Sequence, residues 1–274
     1  MKFMSLIADT FRECLGKKIL LIFFSLSTLV ILCMIFIFNV DIKGNYAAIS
    51  AFFGHQTDTV SLTVLKEGVL KLEAVFATAL YTAGIFLSLF ATADIIPSMM
   101  TKGRIELYLA RPVSRASILL GKYAGAALVI AINIMYAFTG IWIVLGIKTG
   151  IWNFNFFYAV GAIIFMSAAF YAFMIFISIL SRNTAVTIIV TYFMIVLTPM
   201  LAQREALKFI SNSVFMYFLD ALYWIVPKYV EVAVITKDLV QGNHIQSWTP
   251  VASSFFAALI VMNGAVYIFS RKDL

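Results

Sequence analysis

Six stretches of about twenty residues each run almost without charge, and nothing else in the sequence restricts the fold so strongly. The first covers residues 19–40. Fifteen of residues 19–38 are Ile, Leu, Phe or Val; at about −0.5 kcal/mol each they favour insertion by roughly 7 kcal/mol before the Ser and Thr terms. The others are 74–97, 123–147, 154–180, 184–202 and 251–270. Lipid offers the backbone no hydrogen-bond partners, so such runs cross as helices. The expectation is an all-α polytopic membrane protein with six transmembrane helices in one domain, 1–274. Only 12% of the chain is charged, against about 25% in a soluble domain. The first run is too long for a signal-peptide core and no small-residue cleavage site follows it, which predicts an uncleaved anchor.

The segments between the runs carry the information about partners. Residues 98–122 contain KGRIELYLARPVSRASILLGK, a basic stretch whose six charges cannot lie in lipid: together they would cost about 15 kcal/mol or more. Arg104, Leu107/Tyr108 and Arg111 fall at i, i+3/i+4, i+7, so one helical face can meet a partner, and Pro112 limits that helix. Residues 2–18 read as an interfacial helix, with Phe3, Ile7, Phe11 and Leu15 on one side and Lys2, Asp9, Glu13 and Lys17 on the other. Residues 41–73 read as a polar external segment. In 203–250, the apolar run Val214–Val226 is too short to cross, Pro227 ends it, and a second amphipathic piece follows to 240. This external region reads as re-entrant or interfacial helices. Inside the spans, Asn133 and Tyr136 share a face of the third. They read as hydrogen-bonding groups between helices, with a substrate path as the alternative. Asp94 lies within a turn of the water interface, and Asn183 is placed to cap the fifth span.

Six spans put both ends on one side, together with the 102–122 stretch. That side holds 12 of the 20 basic residues and 5 of the 13 acidic ones, so the whole net charge of +7 sits there. The positive-inside rule makes it cytoplasmic, predicting a cytoplasmic (inner) membrane protein with both termini inside. The basic residues are spread over loops rather than forming one stripe, so no nucleic-acid partner is expected. No catalytic constellation is present. Two histidines, His55 and His244, exclude HExxH, and there is no metal-ligand spacing. Gly121-Lys122 fails as a P-loop because Tyr123 stands where Ser or Thr is needed and Ala116 where the first Gly is needed. The expectation is a non-enzyme holding no cofactor or metal of its own.

The run Gly103-Arg-Ile-Glu-Leu-Tyr-Leu-Ala-Arg-Pro-Val-Ser-Arg115, with Ile118-Leu-Leu-Gly-Lys-Tyr123 after it, resembles the loop between the second and third spans of type-2 ABC exporter permeases. Their pattern there is close to G-T-[IL]-E-L-L-L-[AS]-x-P-[IV]-S-R followed by L-L-G-K; Arg104 departs from the usual small or hydroxyl residue. The closing Phe269-Ser-Arg-Lys-Asp-Leu274 and the layout of spans are similar as well. The resemblance implies an ATP-driven exporter of two permeases, this chain with a second copy or a related one, and two cytoplasmic ABC ATPase subunits, which hold the ATP and Mg. It makes residues 98–122 the coupling region. Gly103, Arg104, Glu106, Leu107, Tyr108, Arg111, Pro112 and Arg115 would dock the ATPase, with the Arg forks meeting carboxylates and Leu107 and Tyr108 supplying an anchor.

Two other classes compete: a stand-alone carrier or channel, and a membrane anchor for an ATPase-driven envelope machine. Co-purification with a soluble P-loop ATPase separates the first reading from the carrier. A changed ATPase rate on adding substrate separates it from the anchor. Lipids, lipid-linked glycans, hydrophobic peptides or drugs, and a metal- or sulfur-containing species all remain open as substrates. Reversing the charge of Arg111 and Arg115 together, Arg111→Glu with Arg115→Glu, is expected to abolish ATPase capture in a pull-down while membrane insertion is unchanged.

Overall fold

The computed structural model describes residues 2–16, 18–43, 46–51, 60–101, 103–109, 114–204 and 213–272. In order these form α1 (Lys2–Gly16), α2 (Ile19–Ile37), β1 (Phe38–Lys43), β2 (Tyr46–Ala51), β3 (Val60–Ser61), α3 (Leu62–Thr92), α4 (Ile95–Met99) and α5 (Arg104–Leu109). Then come α6 (Arg115–Thr149), α7 (Phe156–Ser181), α8 (Thr184–Ala202), α9 (Ser213–Ile225), α10 (Tyr229–Gln241) and α11 (Thr249–Arg271). Among the described residues, five helical stretches are long and apolar enough to cross a membrane, and counting α1 with α2 as a bent pair gives up to six. The fold is that of a helical, multi-pass membrane protein.

Three boundaries differ from the sequence reading. The first helix stops at Ile37, and residues 38–43 become β1, antiparallel to β2 with Phe38 opposite Ala51 and Lys43 opposite Tyr46. The alternation Phe38-Asn39-Val40-Asp41-Ile42 has the period of a strand. The small sheet, in order β1-β2-β3, is an addition to the helical scheme. The second helix starts at Leu62, twelve residues before the expected Ala74, and breaks at Ala93–Asp94. Pro97 explains the break, because in a continuous helix its ring would strike the carbonyl of Ala93. The third helix starts at Arg115 rather than Tyr123, with Ser114 as N-cap: its hydroxyl accepts from Ser117 N at 3.2 Å. At 35 residues it is about 52 Å long, well beyond the ~30 Å hydrocarbon core.

Asn183 caps α8 by accepting from Ala185 N at 2.8 Å and Val186 N at 3.3 Å. α8 runs through Pro199 to Ala202. The proline leaves the Ile195 carbonyl without its amide, and the Thr198 hydroxyl takes it over at 2.6 Å.

α7 is the centre of the bundle, with α3, α6, α8, α10 and α11 packed around it. α10 is drawn into the bundle rather than lying on its surface. Tyr229, Val232, Ile235, Thr236 and Val240 are buried against α3 and α7, and Tyr81 Oη donates to the Tyr229 carbonyl at 2.9 Å. α9 stays peripheral, covering the end of α8 through Leu201, Leu219 and Val226. α6 receives α1 and α2 over glycines. A Cβ at Gly121 would stand 2.7 Å from Leu6 Cβ, one at Gly125 2.5 Å from Thr10 Cβ, and one at Gly140 2.2 Å from Ile31 Cδ1. Small residues let helix backbones approach in lipid, where no hydrophobic force drives them together.

Gly125→Ala is therefore expected to destabilise by about 1–3 kcal/mol through overpacking. Gly161→Ala, whose added Cβ meets nothing within 4 Å, should be neutral or slightly stabilising. Thermal unfolding of the two variants in the same detergent checks the difference.

Candidate functional site

One end of the bundle gathers both termini and the segment between the second and third long helices. Its geometry starts at Asp94, which accepts from Thr184 Oγ1 at 3.0 Å and so links the break after α3 to the first turn of α8. From there α4 carries the chain to Thr101, whose carbonyl accepts from Arg104 N at 3.2 Å and Ile105 N at 3.3 Å to open α5. Gly103 precedes it at φ +84°, a left-handed conformation that glycine adopts at little cost. In α5, Ile105 is buried while Arg104 and Glu106 are exposed, as is Gly103 before it. Leu107 and Tyr108 lie on the helical backbone of α5, and no side-chain surroundings are described for them. Arg111 and Pro112 lie outside the described residues.

Arg115 is the first residue of α6. Its Nη1 donates to the Lys272 carbonyl at 2.7 Å and the Ser270 carbonyl at 3.3 Å, fixing the end of α11 to the start of α6. Lys272 Nζ donates to the Ile179 carbonyl near the end of α7. Burial lowers the Lys272 ammonium pKa, and the nearby Arg182 cation lowers it further. Charge reversal at Arg115 thus also cuts an intramolecular link, and Arg104 is the cleaner position for probing docking.

The contact that sequence reasoning missed is Lys122. Its side chain is 0% exposed, with Nζ 2.7 Å from Glu13 Oε2 and 3.4 Å from Asp9 Oδ2. Ser98 Oγ also donates to Glu13 Oε1 at 3.4 Å. One carboxylate of α1 therefore touches both α6 and α4. The available signal was Asp9 and Glu13 four residues apart, hence on one face of an amphipathic helix, but nothing local pairs that face with a lysine 109 residues away.

In the membrane-spanning part, Asn133 and Tyr136 join α6 to α2. Ser27 Oγ donates to Asn133 Oδ1 at 3.2 Å, and Thr28 Oγ1 and Tyr136 Oη share a hydrogen bond of 2.9 Å. The Nδ2 of Asn133 is buried and has no partner among the described residues, beside a cavity of about 90 Å³ between α2, α3 and α6. At the opposite end Asn153 Nδ2 donates to Glu73 Oε2 at 2.6 Å and to the Val240 carbonyl at 3.1 Å, tying α3, α10 and the turn before α7. Among the described residues, no group of three His, Cys, Asp or Glu could hold a metal ion.

The two-ended helical body, with a short helix projecting between its second and third long helices, accords with one further finding: residues 4–274 match the family described as ABC-2 family transporter protein. The chain belongs to that family. No curated protein matches it. As an ABC-2 family member it is a permease, the multi-pass membrane subunit of an ABC transporter, and such subunits generally work with an ATPase subunit.

The Lys122 site of this ABC-2 permease has an asymmetric weakness. Removing both carboxylates (Asp9→Asn with Glu13→Gln) takes away the ion pairs described for the buried ammonium and is expected to cost about 3–5 kcal/mol. Lys122→Met keeps the volume and leaves only the more exposed carboxylates, so it should cost clearly less. Detergent melting temperatures of the two variants decide the order.

Proposed function

We propose that this permease is the export subunit of an ATP-driven transporter, with α5 and the residues around it forming the coupling region. The observation that carries this reading is α5 itself: a six-residue helix anchored by buried Ile105, presenting Arg104 and Glu106 outward. It stands where the chain resembles the ATPase-docking loop of type-2 exporters. The charge count supports a cytoplasmic position for it and for both termini. Gly103, Arg104, Glu106, Leu107, Tyr108, Arg111, Pro112 and Arg115 are assigned to the docking surface. Arg104 and Arg111 supply guanidinium forks for carboxylates on the ATPase, and Arg115 holds the surface to the end of α11. ATP and Mg belong to the two partner ATPases, and a second copy of this chain or a related permease completes the transporter in the inner membrane.

The coupling follows from connectivity. A push on α5 reaches α3 through α4 and the Ala93–Asp94 break, α8 through the Asp94–Thr184 bond, and α6 through Ser98, Glu13 and Lys122. Helices packed to this density move as bodies rather than deform. The substrate path is assigned to the α2–α3–α6 cavity that Asn133 lines, with Tyr136, outside that lining, holding α6 to Thr28 of α2. There the unpaired Asn133 Nδ2 can donate to an apolar molecule carrying an acceptor oxygen.

The test is co-expression with an ABC ATPase encoded beside this chain. Wild type should capture it and alter its hydrolysis rate. Arg104→Glu with Glu106→Lys, which brings like charges together across the contact, should weaken capture at least tenfold with insertion unchanged. Equal capture by wild type and variant removes the coupling assignment.

A further inference from the structure

A second polar site lies at the other end of α8, about 28 Å from Thr184 at the helical rise of 1.5 Å per residue. It is a cavity of about 240 Å³, bounded by Arg204 at the end of α8, Tyr223 and Trp224 of α9, Lys228 in the α9–α10 turn, and the start of α11. Lys228 is only 4% exposed. Its ammonium donates to the Tyr223 carbonyl at 3.0 Å and sits 4.3 Å and 5.1 Å from the ring centroids of Tyr223 and Trp224. Its backbone N–H donates to Ser254 Oγ at 2.8 Å, which fixes the turn. Among the described residues it has no carboxylate within 4 Å.

That arrangement is unusual, because buried charges are as a rule paired. An ammonium carries three donors, and one is used here. Burial lowers the pKa of Lys228; Glu231 opposes that shift and the Arg204 cation adds to it. Arg204 stacks on Tyr223 at 3.6 Å and pairs with Asp220 at 2.9 Å, so its charge is largely met. Among the described residues, Glu231 therefore meets the Lys228 charge only at longer range, and no carboxylate pairs with it directly. The cavity beside it is lined by the hydroxyl-bearing residues Ser247, Thr249 and Ser253; the Ser247 and Thr249 hydroxyls share one hydrogen bond, which leaves one of their two protons for a ligand, and Ser253 Oγ donates to the Pro250 carbonyl at 3.1 Å. Trp224 and Trp248 are exposed around it, the placement of residues at lipid headgroup level.

We propose that this cavity binds a phosphate-bearing anionic group, with Lys228 as its counter-ion, Arg204 at its rim, and the free hydroxyl proton of the Ser247–Thr249 pair as a donor. The headgroup of an anionic phospholipid in the outer leaflet and free phosphate offer the same chemistry. Binding here requires no ATPase, so it stands or falls separately from the coupling assignment.

The experiment is a thermal-shift titration of the full chain, purified in a neutral detergent, with short-chain phosphatidylglycerol, short-chain phosphatidylcholine and inorganic phosphate in parallel. A ligand that binds only the folded state raises the melting temperature saturably. The expected result is a saturable rise with phosphatidylglycerol exceeding that with phosphatidylcholine. Apparent affinity should fall about tenfold or more in Lys228→Met, the scale of one charge-assisted hydrogen bond. Ser253→Leu, which fills the cavity from α11 and leaves both cations in place, should weaken binding too and serves if Lys228→Met does not fold. An equal response to inorganic phosphate identifies a free anion as the ligand. Absence of saturable stabilisation by any of the three, or equal stabilisation of wild type and Ser253→Leu, overturns the proposal.

Discussion

The ion-paired contact between α1 and α6 is the interaction on which the rest of the terminal end depends. A lysine with no exposed surface is tolerable at the head of a membrane-crossing helix because two carboxylates meet it. Those carboxylates come from a helix that could otherwise lie free on the bilayer surface. Two glycines, Gly121 and Gly125, flank the lysine and let the helices approach until Leu6 and Thr10 touch the α6 backbone. Charge pairing thus fixes which face of α1 is used, and close packing fixes where along α6 it sits. Glu13 then reaches Ser98, bringing the segment that leads into α5 under the same control.

The two ends of the molecule differ in kind. At the terminal end four links each involve a charged side chain: Lys122 to α1, Arg115 to the end of α11, Asp94 to Thr184, and Lys272 to α7. At the other end neutral donors and aromatic rings tie α3, α7 and α10, beside the Arg204–Asp220 ion pair and the Lys228 cation. Asn153 bridges Glu73 and Val240, and Trp142 donates to the Asn153 carbonyl at 3.0 Å while packing on Trp152. Between them α10 closes the bundle through Tyr81 and Tyr229, rings 5.1 Å apart. The bonds of the terminal end thus run on into α3, α6 and α8, the helices that α10 and α2 pack against.

Much of this was legible in the sequence, for identifiable reasons. The spans announced themselves because lipid tolerates few charges. α9 and α10 did so because Pro227 and Gly242 punctuate them, with Gly242 in the left-handed conformation that ends α10. The Asn183 cap was readable because its signal is local. What was not readable depended on distant partners. Lys122 reads as a loop cation until Asp9 and Glu13 are brought to it, which is why the third helix was expected eight residues too late. The strand at 38–43 was hidden because apolar β-branched residues suit a helix in lipid as well as a strand outside it. The buried state of Lys228 depends on α9 folding Tyr223 and Trp224 over it. The Asn133 and Tyr136 bonds were half visible: their shared face predicted a partner helix without saying which.

The most direct measurement of this account is sidedness. With Cys14 and Cys33 replaced by Ser, single cysteines at Arg104 and at Trp248 are labelled by a membrane-impermeant maleimide in intact cells and in inverted vesicles. The account predicts that position 104 reacts only in inverted vesicles and position 248 only in intact cells. Labelling of position 104 from outside, or of both positions from the same side, contradicts it.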